Sequence, residues 1–513
     1  MVLSTLKNSL VAAACLAYAS EAFAPSHIIS TRGIAFSNLG STATTVDEAT
    51  DVLPDVISEK KVNNVDDADK PLSPSSGLDE NNLFKCDDSV EFWRNFQIDG
   101  FQSAQENLVE LSNISRRFIT SQDPDAISYW VKHVGRSCYF FGNAALGSIA
   151  SGLHERFVAN NNNSHGKDSK GIVLPFNINS SIVTRLVLEA FLCYEQDYKQ
   201  ISKGSYSQPW DMEINHRQSS PINVLTQTRR FVNEALGTLA RRNRQTQEEK
   251  EIWISDETSP SLYPEYYRNA FHYQTDGWMS TDSANVYETS TETLFLGRQD
   301  AMQRLSLAPL VEYSKLRKDK SKPMKILEVA CGTGRFMTFI RDNLPDTECT
   351  AVDLSPFYLD KARDNDTYWR KTRRQADNLD KDDIKPLRLV QANAEKLPFE
   401  EGSFDAVVCV YLYHELPREA RAKASAEMSR VLKKDGLLVL TDSIQRGDRP
   451  ILDANIGNFE KMNEPYYVDY TQDNLPAHFM KEGLKPMEKT VRSTTKSLTF
   501  LKIGDSATEI AML

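Results

Sequence analysis

Two carboxylates beside a glycine turn carry the first chemical signal. In KILEVACGTGRFMTFI (Lys325–Ile340) an apolar run breaks after Glu328 and Val329 into Ala330, Cys331, Gly332, Thr333 and Gly334, then resumes as an amphipathic pattern. Glycines in such a turn bring backbone close to a nucleotide-like ligand. Asp353 closes the next apolar run, in TAVDLS, where a carboxylate is suited to accept hydrogen bonds from ribose hydroxyls. Two histidines could accept a proton: His414, in the loop after FDAVVCVY, and His272. A purely structural hydrogen bond is the competing role for each. His272 lies in YPEYYRNAFHYQTDGWMSTDSANVY (Tyr263–Tyr287), a stretch crowded with rings but without a sustained period. Such a segment gains little from its own backbone. It is expected to fold over the carboxyl ends of the strands as a lid that contacts the substrate, with His272, Tyr273 and Trp278 as substrate residues and the latter two preferred in the pocket. Packing between two folded units is the alternative. The seven cysteines, at 15, 86, 138, 193, 331, 349 and 409, contain no CxxC pair, so neither a zinc site nor a disulfide scaffold is expected.

The elements that must position these residues follow from periodicity. KILEVA, CTAVDL, LRLVQAN, FDAVVCVY and GLLVLTD read as strands separated by helical stretches, and LKPMEKTV and TTKSLTFLKI as a final pair. That alternation predicts an α/β fold, a doubly wound, seven-stranded, mostly parallel sheet of Rossmann-like type over 311–513. Residues 90–250 read as a mostly helical domain and 251–310 as the aromatic lid or connecting segment. Glycine turn and second-strand carboxylate fit a dinucleotide or S-adenosylmethionine equally well.

The later segments separate the two. VQANAEKLPFEEGSFDAVVCVYLYHEL (Val390–Leu416) and AEMSRVLKKDGLLVLTD (Ala426–Asp442) resemble the third to fifth strands of class I S-adenosylmethionine-dependent methyltransferases. With EVACGTGRF and AVDLSPFYLDKAR they make four ordered matches over Met324–Asp442. The family includes the ubiquinone/menaquinone-biosynthesis type. The longer run from YYRNAFHYQTDGW through QRGDRP resembles a cyanobacterial and plastid group of methyltransferase-domain proteins. The resemblance implies S-adenosylmethionine as cofactor. Glu328 and the backbone of Ala330, Cys331, Gly332, Thr333 and Gly334 would hold its methionine part. Asp353 would bind the ribose and Leu354 the adenine face, Asn393 and Ala394 the adenine edge, and Val410 and Tyr411 the floor beneath the sulfonium. Ala330 replaces a commoner glycine, and Asn393 a commoner aspartate. No NPPY or DPPY follows the fourth strand, against a base-amino or glutamine N-methyltransferase, and the YDxMN-type signature of the quinone enzymes is missing.

A net charge of −11 over 513 residues argues against a broad nucleic-acid surface. A small, partly apolar acceptor is the expected partner: a quinol, phenol or pigment precursor. The first 22 residues have the form of a signal peptide, whose apolar run from Leu10 to Ala19 is too short for a convincing membrane span. Residues 23–50 lack an acidic residue before Asp47, and the junction AFAP resembles the bipartite plastid presequence of diatoms, cleaved before Phe23. An acidic, disordered linker is expected over 51–89. The competing functions are a non-catalytic scaffold built on the same fold and an NAD(P)-dependent oxidoreductase, which leaves the later motifs unexplained.

Overall fold

β2 (Met324–Val329) and β5 (Phe404–Val410) are mainly apolar runs, and β3 (Thr347–Asp353) and β6 (Leu432–Ser443) carry apolar stretches between polar ends, Ala351–Val352 and Leu437–Leu440. Such runs need cover on both faces. They receive it in a computed structural model that describes residues 80–120, 123–161, 180–213, 216–244, 262–317, 320–377, 384–456 and 463–503. The expected signal and transit segments, and the linker up to residue 79, lie outside the described residues.

With β1 (Lys85–Cys86), β4 (Arg388–Gln391), β7 (Leu484–Arg492) and β8 (Thr495–Lys502), these strands form one sheet of order β1-β7-β8-β6-β5-β2-β3-β4. β8 runs antiparallel to β6 and β7, and the other pairs are parallel. All seven expected strands are present. Successive residues of β2 feed opposite faces: Leu327 and Val329 enter one apolar core, Ile326 the other. The chain winds outward from β2 to β4, then returns to β5 on the other side of β2. That reversal opens a crevice at the carboxyl ends of β2 and β5, where open sheets of this type take ligands.

The region read as mostly helical contains the helices Asp88–Asn95, Ala104–Thr120, Pro124–Asn161, Ser180–Ser202 and Pro221–Arg244. Buried ion pairs join it to the sheet. Asp197 accepts from Arg304 (Nη2, 2.5 Å) and Arg492 (Nη1, 2.8 Å), and also from the hydroxyls of Tyr129 and Tyr206. Glu189 accepts from Arg449. Among the described residues no helix is long and apolar enough to cross a membrane.

Two boundaries differ from those expected. Residues 80–89, expected within the linker, are folded: Lys85 and Cys86 pair with Glu488 and Lys489, and Asp87 caps the helix that follows. The lid is also shorter. Ser280 caps the helix Thr281–Leu294, and Gln299–Gln303 is helical again, so among the described residues the long irregular stretch of the expected lid is 262–280, and residues 251–261 lie outside them. Thr and Ser dominate Thr281–Leu294, which hides its helical period behind a run of weak helix formers.

Candidate functional site

The glycine turn is built by left-handed backbone. Gly332 (φ +54°) and Gly334 (φ +66°) flank Thr333, and Ala330 takes φ +58° without the freedom of glycine. Gly334 starts the helix Arg335–Asn343 where a Cβ would stand 2.8 Å from that of Ala362, so only glycine lets the two helices approach. The Gly332 amide donates to Asp353 Oδ2 at 2.8 Å, and the Ser355 amide to Asp353 Oδ1 at 2.9 Å. The carboxylate at the end of β3 is thereby aimed across the turn at the end of β2.

Two joined cavities lie over these atoms. One is lined by Ala330, Gly332, Asp353, Leu354, Asn393, Ala394 and Tyr411 from the sheet side, by Leu412 and Glu415 after β5, and by Tyr266, Tyr267, Phe271, Trp278 and Tyr287 above. It carries two carboxylates and no Lys, Arg or His. The second continues past Tyr287 and Gly332 to Glu328, Cys331, Thr333 and Val410, with Gln299, Asp300 and Gln303 opposite. Glu328 is buried, and its Oε2 has no hydrogen-bond partner. Burial, then the charge of Asp353, pushes its carboxyl far above the usual range. Burial likewise raises Asp353, against the amides of Ser355, Gly332 and Leu354. An unpaired buried carboxylate is costly unless a cation arrives. This set of atoms fits a ligand with an ammonium group near Glu328 and a diol near Asp353. Of the residues expected to hold a cofactor, Gly334 alone lies outside both cavities, serving helix packing.

The aromatic segment does cover the crevice. Phe271 and Trp278 stack at 4.8 Å between centroids, and Tyr267 lies 5.4 Å from Trp278. Hydrogen bonds pin the segment to the sheet domain: Ser355 Oγ donates to the Trp278 carbonyl, Gln274 Nε2 to the Tyr358 hydroxyl (2.6 Å), and Tyr266 to Glu395 Oε1 (2.7 Å). His272, Tyr273 and Asp276 all have positive φ, which is why neither helical nor strand period survives there. Trp278 lies with Asp353, Leu354 and Asn393, over the end of the crevice farther from Glu328. Neither Tyr273 nor His272 lines the two cavities. The Tyr273 carbonyl accepts from Arg241 Nε at 2.6 Å, and His272 Nδ1 stands 3.0 Å from Glu464 Oε1.

His414 is buried beside the cavity rather than on its wall. Its Nδ1 lies 2.5 Å from Asp442 Oδ1, and its ring packs on Tyr467 and Tyr470. Burial alone would lower its pKa, but the Asp442 carboxylate, with Glu415 and Glu464, raises it to about 10. The neighbour Glu415 does line the cavity, and burial, opposed by His414, raises its carboxyl to about 8. Sequence reasoning passed over Glu415, although it adjoins the histidine in VYLYHEL and shares its turn. Gln299, Asp300 and Gln303 were also missed, since their short helix bears no motif.

The profile of the methyltransferase domain family matches residues 326–436. An uncharacterized protein of Haemophilus influenzae is 32% identical over 170 residues, which span 33% of this chain and 61% of its own length. A demethylmenaquinone methyltransferase of Deinococcus radiodurans is 29% identical over 164 residues, 32% of this chain and 58% of its own length. The chain thus spans about three fifths of these curated relatives. Among solved structures, an S-adenosylmethionine-dependent methyltransferase from Aquifex aeolicus aligns at 15% identity with a TM-score of 0.28, covering 39% of this chain and 93% of that one. The glycine-turn region has the class I, Rossmann-like methyltransferase fold and is distantly related to the demethylmenaquinone and ubiquinone/menaquinone methyltransferases.

Proposed function

We propose that the protein is an S-adenosylmethionine-dependent methyltransferase acting on a small, partly apolar acceptor such as a quinol, phenol or pigment precursor. The observation that carries this reading is the acidic wall of the crevice, with the unpartnered Oε2 of Glu328 buried at its end. A sulfonium cofactor supplies an electrophilic methyl group, and direct displacement asks the protein chiefly for alignment and exclusion of water.

In this reading Glu328 holds the ammonium group and Asp353 the ribose hydroxyls. Leu354, Asn393 and Ala394 surround the adenine, and Val410 and Tyr411 form the floor. Asn393 Oδ1 already accepts from the Glu395 amide at 2.8 Å, so one lone pair is left for a base edge. Trp278, Phe271 and Tyr267 shield the nucleoside end. Trp278 therefore acts on cofactor retention, and the acceptor lies nearer Tyr287 and Tyr411. Glu415 takes the acceptor's proton: its carboxyl is on the wall, and a value near 8 leaves a competent base at slightly alkaline pH. His414, kept cationic by Asp442, is an electrostatic neighbour that eases ionisation of Glu415. The presequence would deliver the enzyme to a plastid, and secretion of a fluorescent fusion of residues 1–50 from an alga with a complex plastid would contradict that address.

Calorimetry tests the cofactor. S-adenosylmethionine should bind the parent protein, and Asp353→Ala should weaken it by about 1–3 kcal/mol through unpaired hydroxyls. Tighter binding of NADH, or an unchanged affinity in the variant, overturns the assignment.

A further inference from the structure

A third cavity, of about 540 Å³, lies between the helices Pro124–Asn161, Pro221–Arg244, Thr281–Leu294 and Pro356–Asp377. Its charge is opposite to that of the crevice. Lys132, Arg136, Arg217, Arg230, Arg335 and Lys361 line it, against Asp211, Glu288 and Glu292. Arg136 and Arg335 are committed to carboxylates. Arg136 donates to Glu292 (2.7 Å) and Asp300 (2.5 Å), and Arg335 Nη2 donates to Asp211 at 2.5 Å.

The other four are not committed. Among the described residues, none of them stands within ion-pair distance of a carboxylate. Lys361 Nζ donates to the neutral amide of Asn285 at 3.0 Å, and Arg217 donates to Asn365 while its guanidinium lies 4.3 Å over the Tyr368 ring. Burial, together with the charges of Arg217 and Arg230, lowers the Lys361 ammonium against the pull of Glu288 and Asp364. Four cations converging on one concave surface, two of them held by amides rather than acids, form a site short of negative charge. Solvated surface lysines would not need a cavity to stand in. This cavity also adjoins the crevice, since Glu288, Glu292 and Arg335 line both it and the space at the glycine turn.

We propose that this cavity seats an anionic group, a carboxylate or a phosphate, on the methyl acceptor. The acceptor is then an amphipathic anion, its head among Arg217, Arg230, Lys361 and Lys132 and its apolar remainder directed past Glu288 toward Tyr287 and Tyr411. This identification of the ligand as the acceptor rests on the methyl-transfer reading; the anion site itself does not. The opposite charges of the two sites keep the ligands apart: a cationic cofactor gains nothing in the basic cavity, and an anion is repelled from the acidic crevice.

The test is titration of the full chain with inorganic phosphate and with benzoate, each with and without S-adenosylhomocysteine. At least one anion should bind saturably at one site, and whichever binds more tightly identifies the head group. The double substitution Arg217→Gln/Lys361→Gln should weaken that binding by about tenfold or more, since charge-assisted hydrogen bonds are lost, while S-adenosylhomocysteine binds as before. The exposed Arg230→Gln keeps the test decisive if the double variant folds poorly, and it should weaken anion binding several-fold. Absence of saturable binding by either anion, or affinity unchanged in both variants, overturns the proposal. Failure of S-adenosylhomocysteine to bind the parent would instead strike the methyl-transfer reading and leave the anion site standing.

Discussion

Two groups of acids in this protein, one buried and one buried or half-buried, have opposite fates. At the junction of helices and sheet, Asp197 is fully buried yet meets two arginines and two tyrosine hydroxyls, and their charges hold its carboxyl below the usual range despite the burial. In the crevice, Glu328, Asp353 and Glu415 are pushed upward: burial outweighs the backbone amides at Asp353 and the neighbouring imidazolium at Glu415, and at Glu328 the charge of Asp353 adds to it. The first arrangement is finished; the second lacks a cation. A fold that spends arginines freely at Asp197, Glu189 and Asp300, yet brings none within ion-pair distance of Glu328, Asp353 or Glu415 among the described residues, leaves a place for a positively charged ligand. Buried pairing marks architecture here, and buried frustration marks the site.

The largest effect should come from breaking the finished group. Asp197→Ala leaves Arg304 and Arg492 buried with no acid between them and strands the hydroxyls of Tyr129 and Tyr206. Removal of one partner from such a cluster costs about 3–5 kcal/mol, a large part of an ordinary domain's stability. Chemical denaturation should show that loss, with S-adenosylmethionine affinity unchanged in the molecules that remain folded. A loss below about 1 kcal/mol would mean that the junction is not held by these pairs.

Glu328→Gln probes the unfinished group and should act in the other direction on the empty protein. The amide keeps the shape and removes the cost of holding a proton on an acid that the unfolded chain would ionise, so unliganded stability should hold or rise. Ligand affinity should fall by about 1.5–3 kcal/mol, the usual worth of a hydrogen bond to a charged group. In the parent, Glu328 must shed its proton to receive an ammonium group, so binding should tighten with rising pH and release a proton to the buffer. Calorimetry in two buffers of different ionisation enthalpy measures that proton. Equal affinity in parent and variant would remove Glu328 from the site.

The contrast between the groups also explains what the sequence disclosed. The strands of the sheet and the turn from Ala330 to Gly334 were legible because periodicity and glycine spacing are local. Asp353 was legible because it ends a strand at a position the topology makes useful. The Asp197 cluster was not, since its partners come from residues 129, 206, 304 and 492, and no local pattern announces a contact between them. The same distance hid the basic cavity, whose cations come from four separate helices and a turn between two of them. Trp278 was assigned to the lid because rings without a period must pack on something else. Which end of the crevice it covers depended on the turn of backbone at His272, Tyr273 and Asp276, and that conformation left no trace in residue type.

The smallest effect, and the one that separates Glu415 from its neighbour, is a dependence of stability on pH. Glu415 carries a folded value near 8 against an ordinary value of 4.5. Between those values the folded state keeps a proton that the unfolded chain has released, so stability is complete below about 4.5 and falls as pH rises toward 8. One such group contributes a slope of at most about 1.4 kcal/mol per pH unit. Glu328 and Asp353 add slopes of the same sign, so the informative quantity is the difference between parent and Glu415→Gln. The variant should lose stability less steeply from pH 6 to 8, by about 1 kcal/mol per unit, and so gain about 2 kcal/mol on the parent across that range. His414 slopes in the same sense over a higher range: its raised value makes its contribution complete below the ordinary 6.5 and lost only toward about 10, so its share of the change falls mainly above that of Glu415. Melting curves of both proteins at several pH values read the difference without any knowledge of the acceptor. Parallel curves would show that the Glu415 carboxyl has no raised value, and the added basicity on which its role as proton acceptor rests would be gone.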